Sequence, residues 1–199
     1  MPDPPGEMSE QFDKAYYDRF YRNPDTRAVT PAAVRRQAQF IAAYLNHLEV
    51  PVGQILDIGC GTGGLLRALA RAFPKAKTRG VEYSDYLCKK YGWQQGSVVD
   101  VDAGPADLVV CNDVLGYLND ADCTQALRNL ALHAGQALYL GVLTREDLAL
   151  CDPERTDQEQ SARPVAWYQR RLSRNFLPVG GGLYLRKPVD VTVWHLERG

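Results

Sequence analysis

The sequence predicts an α/β fold, a doubly wound and mostly parallel sheet of seven strands with helices on both faces. Three observations carry that expectation. Short apolar runs at 55–58, 107–113 and 136–144 alternate with segments whose apolar residues recur at helical spacing. The run at 107–113 is apolar at successive positions, as in strands buried on both faces. The run at 55–58 passes through a glycine-rich turn directly into a helix.

In chain order, residues 1–10 are polar and proline-rich and read as a disordered tail, leaving 11–199 as a single domain. Phe12, Tyr16, Tyr17, Phe20 and Tyr21 follow at helical spacing, either a helix on the domain edge or, with the rest of 11–49, a lid. Thr30 and Pro31 cap a helix over 32–48 with Val34, Ala38, Ile41 and Leu45 on one face. After the strand at 55–58 and its turn, Leu65, Leu66 and Leu69 give a helix ending near Phe73 and Pro74. The second strand takes 78–83, a short helix 84–91, the third strand and its exit 93–99, and the fourth strand 107–113. A helix over 122–133 leads to a fifth strand over 136–144. The charged stretch 145–163 is longer than an ordinary connection and reads as a substrate-side loop or a solvated linker. A last helix over 164–176 precedes strands at 177–187 and 189–196 joined at Pro188, with Gly180, Gly181 and Gly182 as a bulge or turn.

Net charge is -1 with a pI near 6.3, so no global field draws the chain to nucleic acid or an anionic membrane. No apolar run approaches the roughly 20 residues of a membrane span. The five cysteines are odd in number and lack C-x-x-C spacing, which suggests neither a disulfide framework nor a zinc site; reduced thiols in a cytoplasmic protein are expected, with no metal.

Gly59, Gly61 and Gly64 satisfy the dinucleotide pattern G-x-G-x-x-G. Asp57 argues against a dinucleotide, because its carboxylate at the strand end would repel a pyrophosphate. A ligand with an ammonium and no phosphate would instead be drawn to it.

Asp57, Gly59, Gly61 and Gly63 resemble motif I of the class I S-adenosylmethionine-dependent methyltransferases. The resemblance covers roughly residues 50–145 and implies a Rossmann-like sheet closed by a hairpin with an antiparallel terminal strand. It also implies S-adenosyl-L-methionine as cofactor, with Asp57 near its amino group and the turn, Cys60 included, around its methionine part. Glu82 ends the second strand at the spacing of about 20 residues at which an acid accepts both ribose hydroxyls. Tyr83 is placed for adenine, and the backbone of Ser97 and Val98 takes the place of the acid that many relatives carry there. Asn112 and Asp113 end the fourth strand, where cofactor and substrate meet; helix capping is their alternative role. Tyr117 stands where many members have a histidine.

These residues lead to an expectation of methyl transfer to an N or O nucleophile of a small molecule. Asp113 and Tyr117 are the candidate catalytic groups, and Tyr16, Tyr17, Trp167 and His195 the candidate substrate pocket. A protein or RNA methyltransferase, a non-catalytic cofactor-binding protein and an NAD-dependent oxidoreductase are the alternatives.

Overall fold

The computed structural model describes residues 30–152, 156 and 160–193. The aromatic stripe with Tyr16 and Tyr17, and the chain end with His195, lie outside them.

The first described helix, α1 (Pro31–His47), starts as its sequence dictates. Thr30 Oγ1 accepts the Ala33 N–H at 3.1 Å, and Pro31 occupies the first turn, where a missing N–H costs nothing. There follow β1 (Gln54–Ile58), α2 (Gly64–Ala72), β2 (Lys77–Glu82), α3 (Asp85–Tyr91), β3 (Gln94–Gln95) and β4 (Ala106–Asn112). A 3₁₀ turn (Leu115–Tyr117) leads to α4 (Asp120–His133), β5 (Ala134–Gly141), α5 (Arg145–Leu148), α6 (Val165–Leu172), β6 (Phe176–Gly180) and β7 (Leu183–Arg186).

The seven strands form one sheet in the order β3-β2-β1-β4-β5-β7-β6. Strands β1 to β5 are parallel; β7 runs antiparallel to both β5 and β6, between which it lies. Strand alternation sorts the core into two layers. Leu56, Ile58, Val109, Cys111 and Leu138 pack with Leu127, Leu130 and Leu172 on one face. Ile55, Leu108, Val110 and Ala137 pack with Ile41, Leu45, Leu66 and Leu69 of α1 and α2 on the other. Coverage of both faces explains the near-continuous apolar strands.

The chain leaves β1 toward β2 on one side and returns to β4 on the other. The connections that leave the carboxyl ends of β1 and β4 therefore run to opposite sides, and such a switch point opens the crevice where open α/β sheets hold ligands.

Some expected boundaries move. The hairpin does not break at Pro188: Gly180, Gly181 and Gly182 all have positive φ (103°, 57° and 81°), so the chain reverses there and both strands fall within the stretch expected to be one. Residues 188–193 form no strand, and 194–196 lie outside the described residues. Helix α6 stops at Leu172, because Phe176 is needed as the buried first residue of β6. Strand β3 keeps two residues, since the chain turns at once: Ser97 O accepts the Val101 N–H at 2.9 Å.

Candidate active site

A cavity of about 410 Å³ opens at the switch point, in the range of small-ligand sites. The glycine turn forms its floor. Gly59, Gly61 and Gly63 have φ of 82°, 53° and 73°, which side-chain-bearing residues rarely adopt. A Cβ on Gly59 would also stand 2.2 Å from Val114 Cγ2. The N–H groups of Gly59 and Cys60 both donate to Val81 O, at 2.8 and 3.0 Å, so the turn is hung from β2.

Glu82 ties the same elements from its side chain. One carboxylate oxygen accepts the Gly61 N–H at 2.7 Å and the other the Ser84 N–H at 2.9 Å. The Tyr83 backbone is a third donor to the same carboxylate. Burial raises the pKa of Glu82, and the backbone donors work against that rise.

Asp57 is different. It is 2% exposed, lines the cavity, and accepts no side-chain hydrogen bond from any described residue. Burial first, and the nearby Glu82 charge second, push its pKa up to about 7. A buried carboxylate without a partner is costly to ionise, and a cation placed beside it removes that cost.

Opposite the turn, the ends of β4 and β5 carry a polar chain. Gln37 of α1 donates through Nε2 to Asn112 Oδ1 (2.9 Å) and to the Tyr139 hydroxyl (2.7 Å), and Asn112 Nδ2 donates to Asp113 Oδ2 (2.7 Å). Asp113 holds φ at +57° while its N–H bonds Gly141 O, and burial raises its pKa. The tight fit of Asn112 is set by Gly141, where a Cβ would stand 2.1 Å from Asn112 Oδ1.

Of the residues singled out from sequence, Asp57, Gly59, Cys60, Gly61, Asn112 and Asp113 share the cavity wall. Glu82 lies directly behind Gly61. The Cys60 thiol is buried beside Asp57 and Glu82, which raises its pKa and keeps it protonated. Gly63 faces Trp93 rather than the cavity. Tyr83, Ser97 and Val98 stand outside this cavity, and Val98 is buried with its carbonyl accepting from Asn129 Nδ2 at 3.1 Å. Tyr117 is also outside it, its hydroxyl taking a bond from Gln160 Nε2 at 3.2 Å.

Trp167 lies elsewhere in the described structure. It sits in the core layer of α4 and α6 with the Arg171 guanidinium 3.5 Å from its ring centre, and does not reach the cavity. Its periodicity in α6 marked burial, and the buried face of that helix meets α4 instead of the ligand crevice.

Sequence reading missed Gln37 and Trp93, along with Thr62 and Arg67 of the cavity lining. Gln37 reaches the site from α1, and Trp93 packs under the turn, its Nε1–H donating to Gly61 O at 3.1 Å. Only the glycines at 63 and 80, whose Cβ atoms would stand 2.5 and 2.8 Å from the indole, hinted that something large packs there.

The strand order, the glycine turn hung between β1 and β2, and the paired acids Asp57 and Glu82 resemble those of one class, the S-adenosylmethionine-dependent methyltransferases of the class I fold. Residues 56–136 match the family model described as Methyltransferase domain. Fold and match together make the chain similar to that class. Trans-aconitate 2-methyltransferase from Deinococcus radiodurans is 34% identical over 80 residues, which are 36% of this chain and 31% of that protein. Malonyl-[acyl-carrier protein] O-methyltransferase from Legionella pneumophila is 33% identical over 85 residues, 37% of this chain and 30% of that one. The chain thus spans about a third of the length of these relatives. Among solved structures, magnesium protoporphyrin IX methyltransferase from Synechocystis with bound S-adenosylhomocysteine has the same fold at a TM-score of 0.68 and 18% identity, covering 90% of this chain and 98% of that one. Streptomyces venezuelae DesVI gives 0.66 and 19%, covering 89% and 99%.

Proposed function

We propose that the protein transfers a methyl group from S-adenosylmethionine to a nitrogen or oxygen nucleophile of a small molecule. The observation that carries the reading is Asp57, a buried carboxylate without a described donor on the wall of a glycine-lined cavity. It fits an ammonium group, and so the amino-acid end of the cofactor. A dinucleotide is disfavoured there, since ionised Asp57 would face its pyrophosphate.

When bound, the cofactor supplies a methyl already activated by a positive sulfur. The chain's own work is then to bind, align and exclude water. Asp57 holds the ammonium. Glu82, with its geometry fixed by the Gly61 and Ser84 N–H groups, accepts from the ribose. Asp113, steadied by Asn112 and Gln37, accepts the proton when the nucleophile carries one. Tyr117, expected beside it as a catalytic group, is held by Gln160 on the neighbouring turn, so Asp113 is the better-placed base.

One of the sequence relatives is named for methylation of trans-aconitate, which supports a small acceptor. Calorimetric titration with S-adenosylhomocysteine tests the first step. Binding is expected, and Glu82→Ala weakens it by about 3 kcal/mol, more than a hundredfold, through loss of charge-assisted hydrogen bonds. Heat-silent titration of the folded wild-type protein removes the reading.

A further inference from the structure

The indole of Trp93 does more than fill space under the cofactor turn. Its Nε1–H holds Gly61 O at 3.1 Å, while the Gly61 N–H is held on the other side by Glu82 at 2.7 Å. Both peptide planes meeting at Gly61 are therefore fixed. Gly61 itself, at φ +53° with nothing within 4 Å of where a Cβ would stand, has no steric restraint of its own. Without the indole bond, the peptide joining Gly61 to Thr62 is restrained only through the turn bond from the Gly63 N–H to Cys60 O at 2.8 Å.

That peptide has a second end. In a trans peptide the C=O and the next N–H point in opposite directions. Holding Gly61 O toward Trp93 therefore aims the Thr62 N–H the other way. Thr62 lines the cavity, and its N–H donates to no described residue. Arg67 adds positive charge nearby, for its Nη1 lies 2.9 Å from where a Cβ of Gly63 would stand, and it too lines the cavity. Asp57 on the same wall takes a cation, so the turn offers a cation acceptor and an anion donor side by side. That pairing matches a free α-amino acid group.

We propose that Trp93 is a positioning residue that orients the Thr62 N–H to receive the carboxylate of the cofactor's amino-acid end. The inference rests on the cofactor reading above and adds the division of labour within it: Asp57 for the ammonium, Thr62 N–H with Arg67 for the carboxylate, and Trp93 to set the donor.

The test compares two ligands by calorimetry: S-adenosylhomocysteine and its decarboxylated analogue, which keeps the amine and lacks the carboxylate. Trp93→Phe keeps an aromatic ring and removes the N–H. It is expected to weaken S-adenosylhomocysteine binding about three- to tenfold, the worth of one hydrogen bond, and to change binding of the analogue by less than about twofold. Should Trp93→Phe fold poorly, replacing Trp93 by 3-benzothienylalanine keeps the indole's shape and still removes the donor. Equal losses for both ligands would mean that Trp93 merely supports the turn, and no loss for either would mean that the bond is idle; both results overturn the proposal. Wild-type protein that binds S-adenosylhomocysteine no better than the analogue overturns the carboxylate contact. Wild-type protein that binds neither ligand overturns the cofactor reading itself, before any variant is made.

Discussion

Among the described residues, two turns are built on three positive-φ glycines, and only one of them opens on the cavity. Gly59, Gly61 and Gly63 link β1 to α2; Gly180, Gly181 and Gly182 link β6 to β7. The backbone demand is similar in both. The surroundings differ: the first turn has Asp57 before it and Glu82 beside it, opens on the cavity, and is pinned by Val81, Glu82 and Trp93. The second meets the Phe40 ring and the Leu140 carbonyl and closes a hairpin at the sheet edge. Glycines permit a turn, and buried charge beside them is what the proposed binding role adds.

The largest way to sharpen this contrast is to remove the charge. Asp57 has a pKa raised from 3.8 to about 7, so the stability it contributes is complete below about pH 4 and is lost as pH rises through 7. Asp57→Asn is expected to stabilise the ligand-free protein at pH 8 by on the order of 3 kcal/mol, and to leave it unchanged near pH 4, while weakening cofactor binding. Denaturant unfolding at the two pH values checks the sign. A site that costs stability when empty and binds through the same group is the signature sought; no counterpart exists in the glycine hairpin.

Next in size is Gly59→Ala, which combines a clash 2.2 Å from Val114 with a strained φ. A loss of about 2–3 kcal/mol is expected from overpacking and backbone strain together. Chemical denaturation measures it.

The smallest effect separates the two turns most cleanly. Gly61 and Gly180 both have positive φ and open space around a would-be Cβ. Alanine at either should cost about 1–2 kcal/mol of stability. Only Gly61→Ala should also weaken S-adenosylhomocysteine binding, since Gly61 alone lines the cavity. Equal binding by the two variants would break the distinction between the turns.

Much of the first turn was legible in the sequence because its logic is local. Asp57 lies two residues from Gly59, and the glycines declare their own φ. Glu82 was legible because parallel strands end together at a fixed spacing. Trp93 and Gln37 were not, since their partners are 32 and 75 residues away and ordinary tryptophan and glutamine carry no signal of what they will touch. Trp167 shows the limit of periodicity: the spacing in α6 revealed that one face is buried, but not that it is buried against α4. The C-terminal strands show the same limit, because apolar residues run on through 183–186 and beyond, and only the backbone of Gly180 to Gly182 decides where the chain reverses.

The role of Asp57 as the ammonium acceptor is open to one direct measurement: calorimetric titration of the wild-type protein with S-adenosylhomocysteine between pH 5 and 8, in buffers of different ionisation enthalpy. A protonated Asp57 must lose its proton to receive the ammonium. Binding should therefore release up to one proton, and affinity should fall by as much as about tenfold per unit as pH drops below 7. Binding with no proton release and the same affinity from pH 5 to 8 would contradict that role.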